Sequence, residues 1–557
     1  MHGFVSSPRQ PKLSGHPRLF EEHSVVDTIV KQTGTFWGRE VVEGIVHGRP
    51  SRMYRDRPSA VNQLLLEGRR WQDREFLVQG ERRLTYRDHE GAVARVANRL
   101  AAYGVTRGDR VLLLSFNSVE WCVSFWALHS LGAVVALGNP WWSSHEVSEL
   151  AAKIQPKVAI TDVDIPSVSR VRIAEIREQV DSQAPATLRL ADVDESDDAV
   201  IMFSSGTTGL PKGILVSQRS VIGNLHNLLA LTNRLPNELP EDFKSTTSMQ
   251  SVPLFHLAGV QTSIATLLQG GRLVMLNGKF DPADVLRLIE TEGVRSWGAI
   301  PTMVSRVLEH PDIATRDTST LSSIPLGGSA VPPELRERIS AAFPSVQQKV
   351  GSLYGLTETG GLLAAASGKE IAGHPGRVGR PLPVVEVKIV DANENGEGEI
   401  YGRTPNAPEE VLGEPPLEDA EGWIASGDIG RIDEEGYLYV TGRVKEIIIR
   451  GGENVATANI ENTLLRHPAV AEVAVMALPD ADLGEKIGAA VVIRPGSPAP
   501  SLDELRDLCR TYLARYEMPD TWWLRREDLP INAVGKSNKK ALTADWVELG
   551  AHSITEG

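Results

Sequence analysis

The stretch Phe203-Ser204-Ser205-Gly206-Thr207-Thr208-Gly209-Leu210-Pro211-Lys212-Gly213 constrains this chain more than any other. The apolar run Ala199 to Phe203 reads as a buried strand, and Ile214-Leu215-Val216 reads as another. Between them lies a turn of glycines, hydroxyls, one proline and one lysine. Glycines let the backbone approach a ligand closely, and successive N–H groups in such a turn make a concavity that favours anions. The hydroxyls of Ser204, Ser205, Thr207 and Thr208 add donors, and Lys212 adds a positive charge. Such a turn suits a polyphosphate. It is not a Walker loop, because Gly213 and a strand follow Lys212 where that loop needs Ser or Thr and a helix. A plain flexible linker is the alternative, but linkers rarely join two apolar strands.

With 557 residues the chain is too long for one hydrophobic core, so two or more domains are expected. No apolar run reaches the length of a membrane span, and the first twenty residues lack an apolar signal core and read as a poorly ordered leader. Cys122 and Cys509 form neither a disulfide framework nor a metal-ligand spacing, so a reducing cytoplasm is the expected setting. Each falls on an apolar helical face and reads as packing. A net charge of −14 argues against nucleic acid as a partner, although a local field still decides what a site binds.

From Phe76 to Thr161 short strands alternate with helical stretches: Arg82–Tyr86, Gly91–Tyr103, Val111–Leu114, Val119–Leu131, Val134–Leu137, Glu146–Ile154 and Val158–Thr161. That order implies βαβ units and a largely parallel sheet, an α/β fold whose ligands gather at the carboxyl ends of strands. Asp281-Pro282 opens a helix that Gly293 closes. The glycine-rich exits Gly327-Gly328-Ser329 and Gly351 to Thr359 are candidate binding walls. From Val384 strict alternation and acidic glycine turns indicate a β-rich subdomain over about 385–442. Beyond a hinge at 443–446, residues 447–557 read as a small α+β domain of their own. Its helix is opened by Ser501 and Glu504, with Leu502, Leu505, Leu508, Cys509, Tyr512, Leu513 and Tyr516 on the inner face.

The phosphate-loop stretch resembles that of the adenylate-forming, or AMP-binding, superfamily, in its acyl-CoA synthetase branch. The resemblance runs from about Leu84 to Leu542, with the motifs in the family's order. It implies a large N-terminal domain (1–442) and a small mobile C-terminal domain, with ATP, Mg²⁺ and coenzyme A as partners of a carboxylic acid. Ser204, Ser205, Gly206, Thr207, Thr208, Gly209 and Lys212 would hold phosphate, with Gly328 and Ser329 also at the nucleotide. In Tyr354-Gly355-Leu356-Thr357-Glu358, Tyr354 would lie by adenine, Gly355 beside it, Thr357 on phosphate, and Glu358 with Thr208 on Mg²⁺. In Ser426-Gly427-Asp428, Asp428 would accept from the ribose hydroxyls, and Arg443 would sit near ribose and phosphate. Lys445 matches the position about which the C-terminal domain turns and would also meet CoA, and Gly452 would let pantetheine pass.

In Leu529 to Lys536 the resemblance makes Lys536 the lysine that meets both carboxylate and α-phosphate. Removing such a group typically costs on the order of 10²–10³ in rate. His256 closes Pro253-Leu254-Phe255-His256 and, with Gly298, Gly328, Leu353 and Gly355, would line the acyl pocket. The resemblance sets a bulky aromatic at the place of Gly355 in acetate-using relatives, so Gly355 implies an acid larger than acetate: medium- or long-chain, aromatic or polycyclic. Several positions depart from the family pattern: Gln218 for His, Glu517 for Lys, Thr457 and Asn459 for Pro and Glu, and the segment Val411 to Pro416. A homodimer is compatible with such a chain. Two other readings stand beside the CoA ligase. One is an acyl-AMP ligase that loads a carrier protein, prompted by Glu548 to Ile554 around Ser553 but opposed by the few residues between Lys540 and Ser553. The other is a nucleotide-binding homologue without turnover, opposed by Lys536, Glu358 and Asp428 all being in place.

Overall fold

The computed structural model describes residues 36–204, 210–327, 331–346, 350–374, 376–450, 453–480, 482–531, 537–548 and 554–555. The expected leader, the loop positions Ser205, Gly206, Thr207, Thr208 and Gly209, and Gly328, Ser329, Gly452, Lys536 and Ser553 lie outside the described residues.

The alternation read from the sequence becomes a seven-stranded sheet. Its order is Glu410–Val411, Lys212–Ser217, Asp198–Ser204, Val134–Gly138, Arg110–Leu114, Val158–Ile160, Ser169–Val171. The five strands from Asp198–Ser204 to Ser169–Val171 run parallel, and Lys212–Ser217 returns antiparallel to Asp198–Ser204. A second sheet of five strands, Ser296–Gly298, Thr247–Gln250, Arg272–Met275, Glu75–Gln79 and Arg82–Thr85, faces it across a shared core. Helices Val119–Ser130 and Leu257–Leu268 fill that core. Every residue of Val119–Ser130 is buried, as its apolar surround predicts. Burial pushes the Cys122 thiol up to about 12, which suits a packing role.

Local signals placed most ends well. Asp281 caps Pro282–Glu292, and Gly293 closes that helix in the left-handed region at φ 62°. The helix read as starting at Gly91 begins earlier, at Tyr86, because Thr85 and Asp88 cap each other reciprocally.

The alternating strands after Val384 are not a separate sheet. They continue Leu326–Gly327, Ser352–Leu356, Gly361–Ala366 and Arg377–Pro381 in one eight-stranded sheet. The exit after Gly351, read as a glycine-rich loop, is therefore strand from Ser352 to Leu356 before a 3₁₀ turn, Thr357–Thr359.

A six-stranded sheet draws only on residues from Ile447 onward and forms the small C-terminal part. Its last strand, Ile554–Thr555, pairs with Trp523 and Leu524. Helix Leu502–Tyr512 buries Leu505 and Cys509 as expected. Tyr512 and Tyr516, expected on the inner face, are exposed: the helix ends at Tyr512, and Tyr516 lies beyond it in the 3₁₀ turn Arg515–Glu517. Arg466 lies over the Tyr512 ring instead.

Ion pairs join the two parts. Arg306 reaches Glu472 at 3.5 Å and Asp528 at 3.6 Å, and the Glu309 carboxylate meets both Arg338 and Arg494.

Candidate active site

The site is assembled on the exits of two sheets. Strand Asp198–Ser204 leads into the expected phosphate-loop positions, and Lys212–Ser217 follows them antiparallel. The 3₁₀ turn Thr357–Thr359, which holds Thr357 and Glu358, packs against Asp198–Ser204 on one side and against Ile424–Ile432 on the other. The loop's base, the Glu358 turn and the strand of Asp428 are thereby brought together from positions more than 200 residues apart in the chain. Two glycines that sequence reasoning missed make this possible. A Cβ on Gly360 would come within 1.6 Å of the Asn406 carbonyl, and one on Gly361 within 2.3 Å of the Asn224 amide. The Gly-Gly pair directly after Thr359 was the available signal.

Asp428 is buried and lies opposite Arg443 in the antiparallel pair Ile424–Ile432 and Leu438–Arg443. Arg443 Nε stands 2.8 Å from one carboxylate oxygen, and the Tyr354 hydroxyl donates to the other at 2.8 Å. Burial, then the Asp428 charge, hold the Tyr354 phenol far above its ordinary range, so it stays a donor at any working pH. An anchored carboxylate of this kind can accept further bonds, as a ribose diol requires.

Lys212 meets Glu414 at 3.1 Å, and both side chains are exposed. Glu414 belongs to the divergent segment, which pairs Glu410–Val411 against Lys212–Ser217. Lys445 lies exposed in the 3₁₀ turn Val444–Glu446.

A cleft of about 820 Å³ opens beside the loop, between Ser204 and Pro211. One wall is aromatic: Phe116, Trp141, Trp142, Phe203, Phe255 and Phe280, with His256. The far wall comes from the C-terminal part, through Ile531, Asn538 and Lys540. His256 is the residue that enters helix Leu257–Leu268. Asn117 fixes the approach to it, since its amide donates to the Val252 carbonyl at 3.0 Å and accepts from Leu254 N–H at 2.7 Å. Nothing in the sequence singled out Asn117, because its partners lie 135 and 137 residues away.

The expected acyl-pocket residues divide. A Cβ on Gly298 would meet Thr262 Oγ1 at 3.9 Å, and the Gly298 carbonyl accepts from the cleft residue Ser251. Leu353 packs against the cluster of Tyr54, Leu362 and Leu363. A Cβ on Gly355 would lie 2.2 Å from the Gly361 carbonyl and 2.6 Å from Leu362 Cα. Glycine at 355 therefore has a local cause in strand packing, and it no longer carries an argument about acid size.

The departures from the family pattern also have local partners. Gln218 is buried and accepts from Val61 N–H. Asn459 and Glu517 touch each other at 3.2 Å, so two of the departing positions form one contact.

The chain matches the AMP-binding enzyme family over residues 66–409 and the AMP-binding enzyme C-terminal domain over 459–536, and it belongs to that family, in its acid–CoA ligase branch. It is 33% identical over 491 residues to a long-chain-fatty-acid–CoA ligase of Mycobacterium tuberculosis, covering 83% of this chain and 93% of that one. To an indoleacetate–CoA ligase of Aromatoleum aromaticum it is 32% identical over 494 residues, covering 82% and 92%. Among solved structures, o-succinylbenzoate coenzyme A synthetase of Bacillus subtilis, in complex with ATP and magnesium ion, superposes with a TM-score of 0.72 at 27% identity, covering 86% of this chain and 98% of that one. Two relatives so similar in identity act on a fatty acid and on an indole acid, so identity leaves the acid open. Among the described residues no helix is long and apolar enough to cross a membrane.

Proposed function

We propose that the chain joins a carboxylic acid larger than acetate to coenzyme A in two steps that use ATP. In the first, a carboxylate oxygen attacks the α-phosphorus, a P–O bond forms, and pyrophosphate leaves as acyl-AMP appears. In the second, the CoA sulfur attacks the acyl carbon, a C–S bond forms, the bond to AMP breaks, and the thiol proton passes to solvent.

The observation that carries this reading is the Tyr354–Asp428–Arg443 constellation, linked through the Thr357–Thr359 turn to the strand that enters the phosphate loop. Asp428 accepts the ribose hydroxyls, Tyr354 lies by adenine, and Arg443 faces ribose and phosphate. Ser204 to Gly209, Lys212, Gly328 and Ser329 hold the phosphates. Mg²⁺ takes one or two carboxylates and completes its shell with phosphate oxygens and water. Glu358 and Thr208 would hold it, and when bound it supplies neutralising charge on the phosphates.

His256 and Gly298 border the acid, and Gly452 with Lys445 border the CoA arm. The size of the acid is supported by the aromatic cleft of about 820 Å³ beside His256. Lys536 opposes the charge that builds as carboxylate meets phosphorus, and the C-terminal domain then turns about Lys445 to admit CoA.

The test is Lys536→Ala. Acyl-AMP formation should fall by about 10²–10³, while thioester formation from supplied acyl-AMP and CoA is largely kept. Equal loss in both steps would reject the assignment.

A further inference from the structure

The cleft's far wall is held by a residue that does not face it. Asn538 and Lys540 line the cleft, and Lys539 between them points the other way. Its ammonium donates to Glu446 at 2.7 Å and to Thr457 Oγ1 at 3.3 Å, and it lies 2.9 Å from Glu461. Those partners belong to two elements. Glu446 ends the turn that contains Lys445, Thr457 opens helix Thr457–Leu464, and Glu461 lies one turn further along it. Thr457 Oγ1 also donates to Glu446, and Glu461 accepts from Val475 N–H, so the carboxylates are fixed from both sides.

Just before Lys539, Ile531 pairs with Ser537, and Asn538 N–H donates to the Pro530 carbonyl at 2.6 Å. Further along, Leu542 and Trp546 anchor helix Lys539–Glu548 in a cluster with Trp523 and Leu478. Apolar packing thus fixes the far end of this helix, while the side chain of its first residue, Lys539, reaches Glu446 on the hinge side. Burial alone would lower the Lys539 ammonium, but the two carboxylates outweigh it and keep it charged.

We propose that Lys539 is a positioning residue for acyl-AMP formation: it locks the cleft wall of Ile531, Asn538 and Lys540 to the hinge-side residue Glu446. The inference rests on the two-step reading above. Acyl-AMP formation needs the wall beside the phosphate loop, whereas thioester formation follows after the C-terminal domain has turned and does not.

The experiment compares Lys539→Met, Lys539→Arg and the milder Glu446→Gln in the full chain. Each is scored for acyl-AMP formed in a single turnover, thioester formed from supplied acyl-AMP and CoA, melting temperature, and amide hydrogen exchange. Lys539→Met should slow acyl-AMP formation at least about tenfold and change the second step by less than about threefold. Lys539→Arg should recover most of the first step, and Glu446→Gln should fall between the two. Exchange in segments 444–450 and 537–542 should rise together in Lys539→Met. Equal losses in both steps that track melting temperature would overturn the proposal, as would unchanged rates. If Lys539→Met does not fold, the same outcomes are read from Glu446→Gln. Exchange needs no substrate, so coupled exchange in a chain that makes no acyl-AMP would leave the clamp standing and sink the two-step reading. Uncoupled exchange with normal turnover would do the reverse.

Discussion

The Tyr354 hydroxyl donates to Asp428 at 2.8 Å, across 74 residues of chain, and Arg443 closes on the other oxygen of the same carboxylate. The carboxylate is buried, and each of its oxygens is held by a partner side chain. Preorganisation of this kind lets a binding group act without first being ordered.

Tyr354→Phe removes one neutral donor to a charged acceptor and should raise the KM for ATP about tenfold, near the 1.5 kcal/mol typical of such a bond. Asp428→Ala should cost more, because it also strands Arg443 and removes the ribose acceptor. Steady-state kinetics in ATP check both, and a larger loss in Tyr354→Phe than in Asp428→Ala would contradict the assignment.

Lys445→Pro should spare acyl-AMP formation and slow thioester formation. Proline fixes φ, and the proposed turn of the C-terminal domain needs that dihedral free. Single-turnover assays of each step separate the outcomes. Unimpaired CoA transfer would move the pivot elsewhere.

Gly355→Ala should destabilise the chain by about 1–3 kcal/mol, the usual effect of overpacking, because its Cβ meets the backbone of Gly361 and Leu362. The melting temperature should fall, and Gly355→Trp should lose activity on every acid with no gain on acetate. A Trp variant that folds normally and prefers acetate would show that the side chain escapes into the acyl site.

How much of this was legible in sequence depended on how local the cause was. Asp281, Pro282 and Gly293 announced both ends of their helix, and the apolar surround of Val119–Ser130 announced its burial. Tyr512 and Tyr516 kept the helical period of Leu505 and Cys509 yet lie outside, since period cannot say where the helix ends. Motifs named Tyr354, Asp428 and Arg443, but not that one carboxylate would hold the other two. Long-range partners left no trace at all: Asn117 beneath the His256 segment, Arg306 against Glu472, and the contact between Asn459 and Glu517.

Stability should fall in mild acid. Burial pushes His89 and His129 down to about 3 and His226 to about 4. In the unfolded chain a histidine titrates near 6.5, so above about pH 6.5 both states are neutral and these groups contribute no pH dependence. Below it the unfolded state binds protons that the folded state refuses, and stability drops until the folded values are reached. Each such group contributes about 1.4 kcal/mol per pH unit in that window. Melting temperatures at pH 7.5, 6 and 5 should therefore decline steadily, before the carboxylates begin to titrate. A flat profile over that range would contradict the burial of these rings.

The central claim is tested most directly by pyrophosphate release over a panel of acids from acetate through long-chain, aromatic and polycyclic ones, with thioester followed in parallel when CoA is present. The account predicts acid-dependent pyrophosphate release, weakest with acetate, and thioester only when CoA is added. Release without any thioester in the presence of CoA would contradict it, as would acetate as the preferred acid or no acid-dependent release at all.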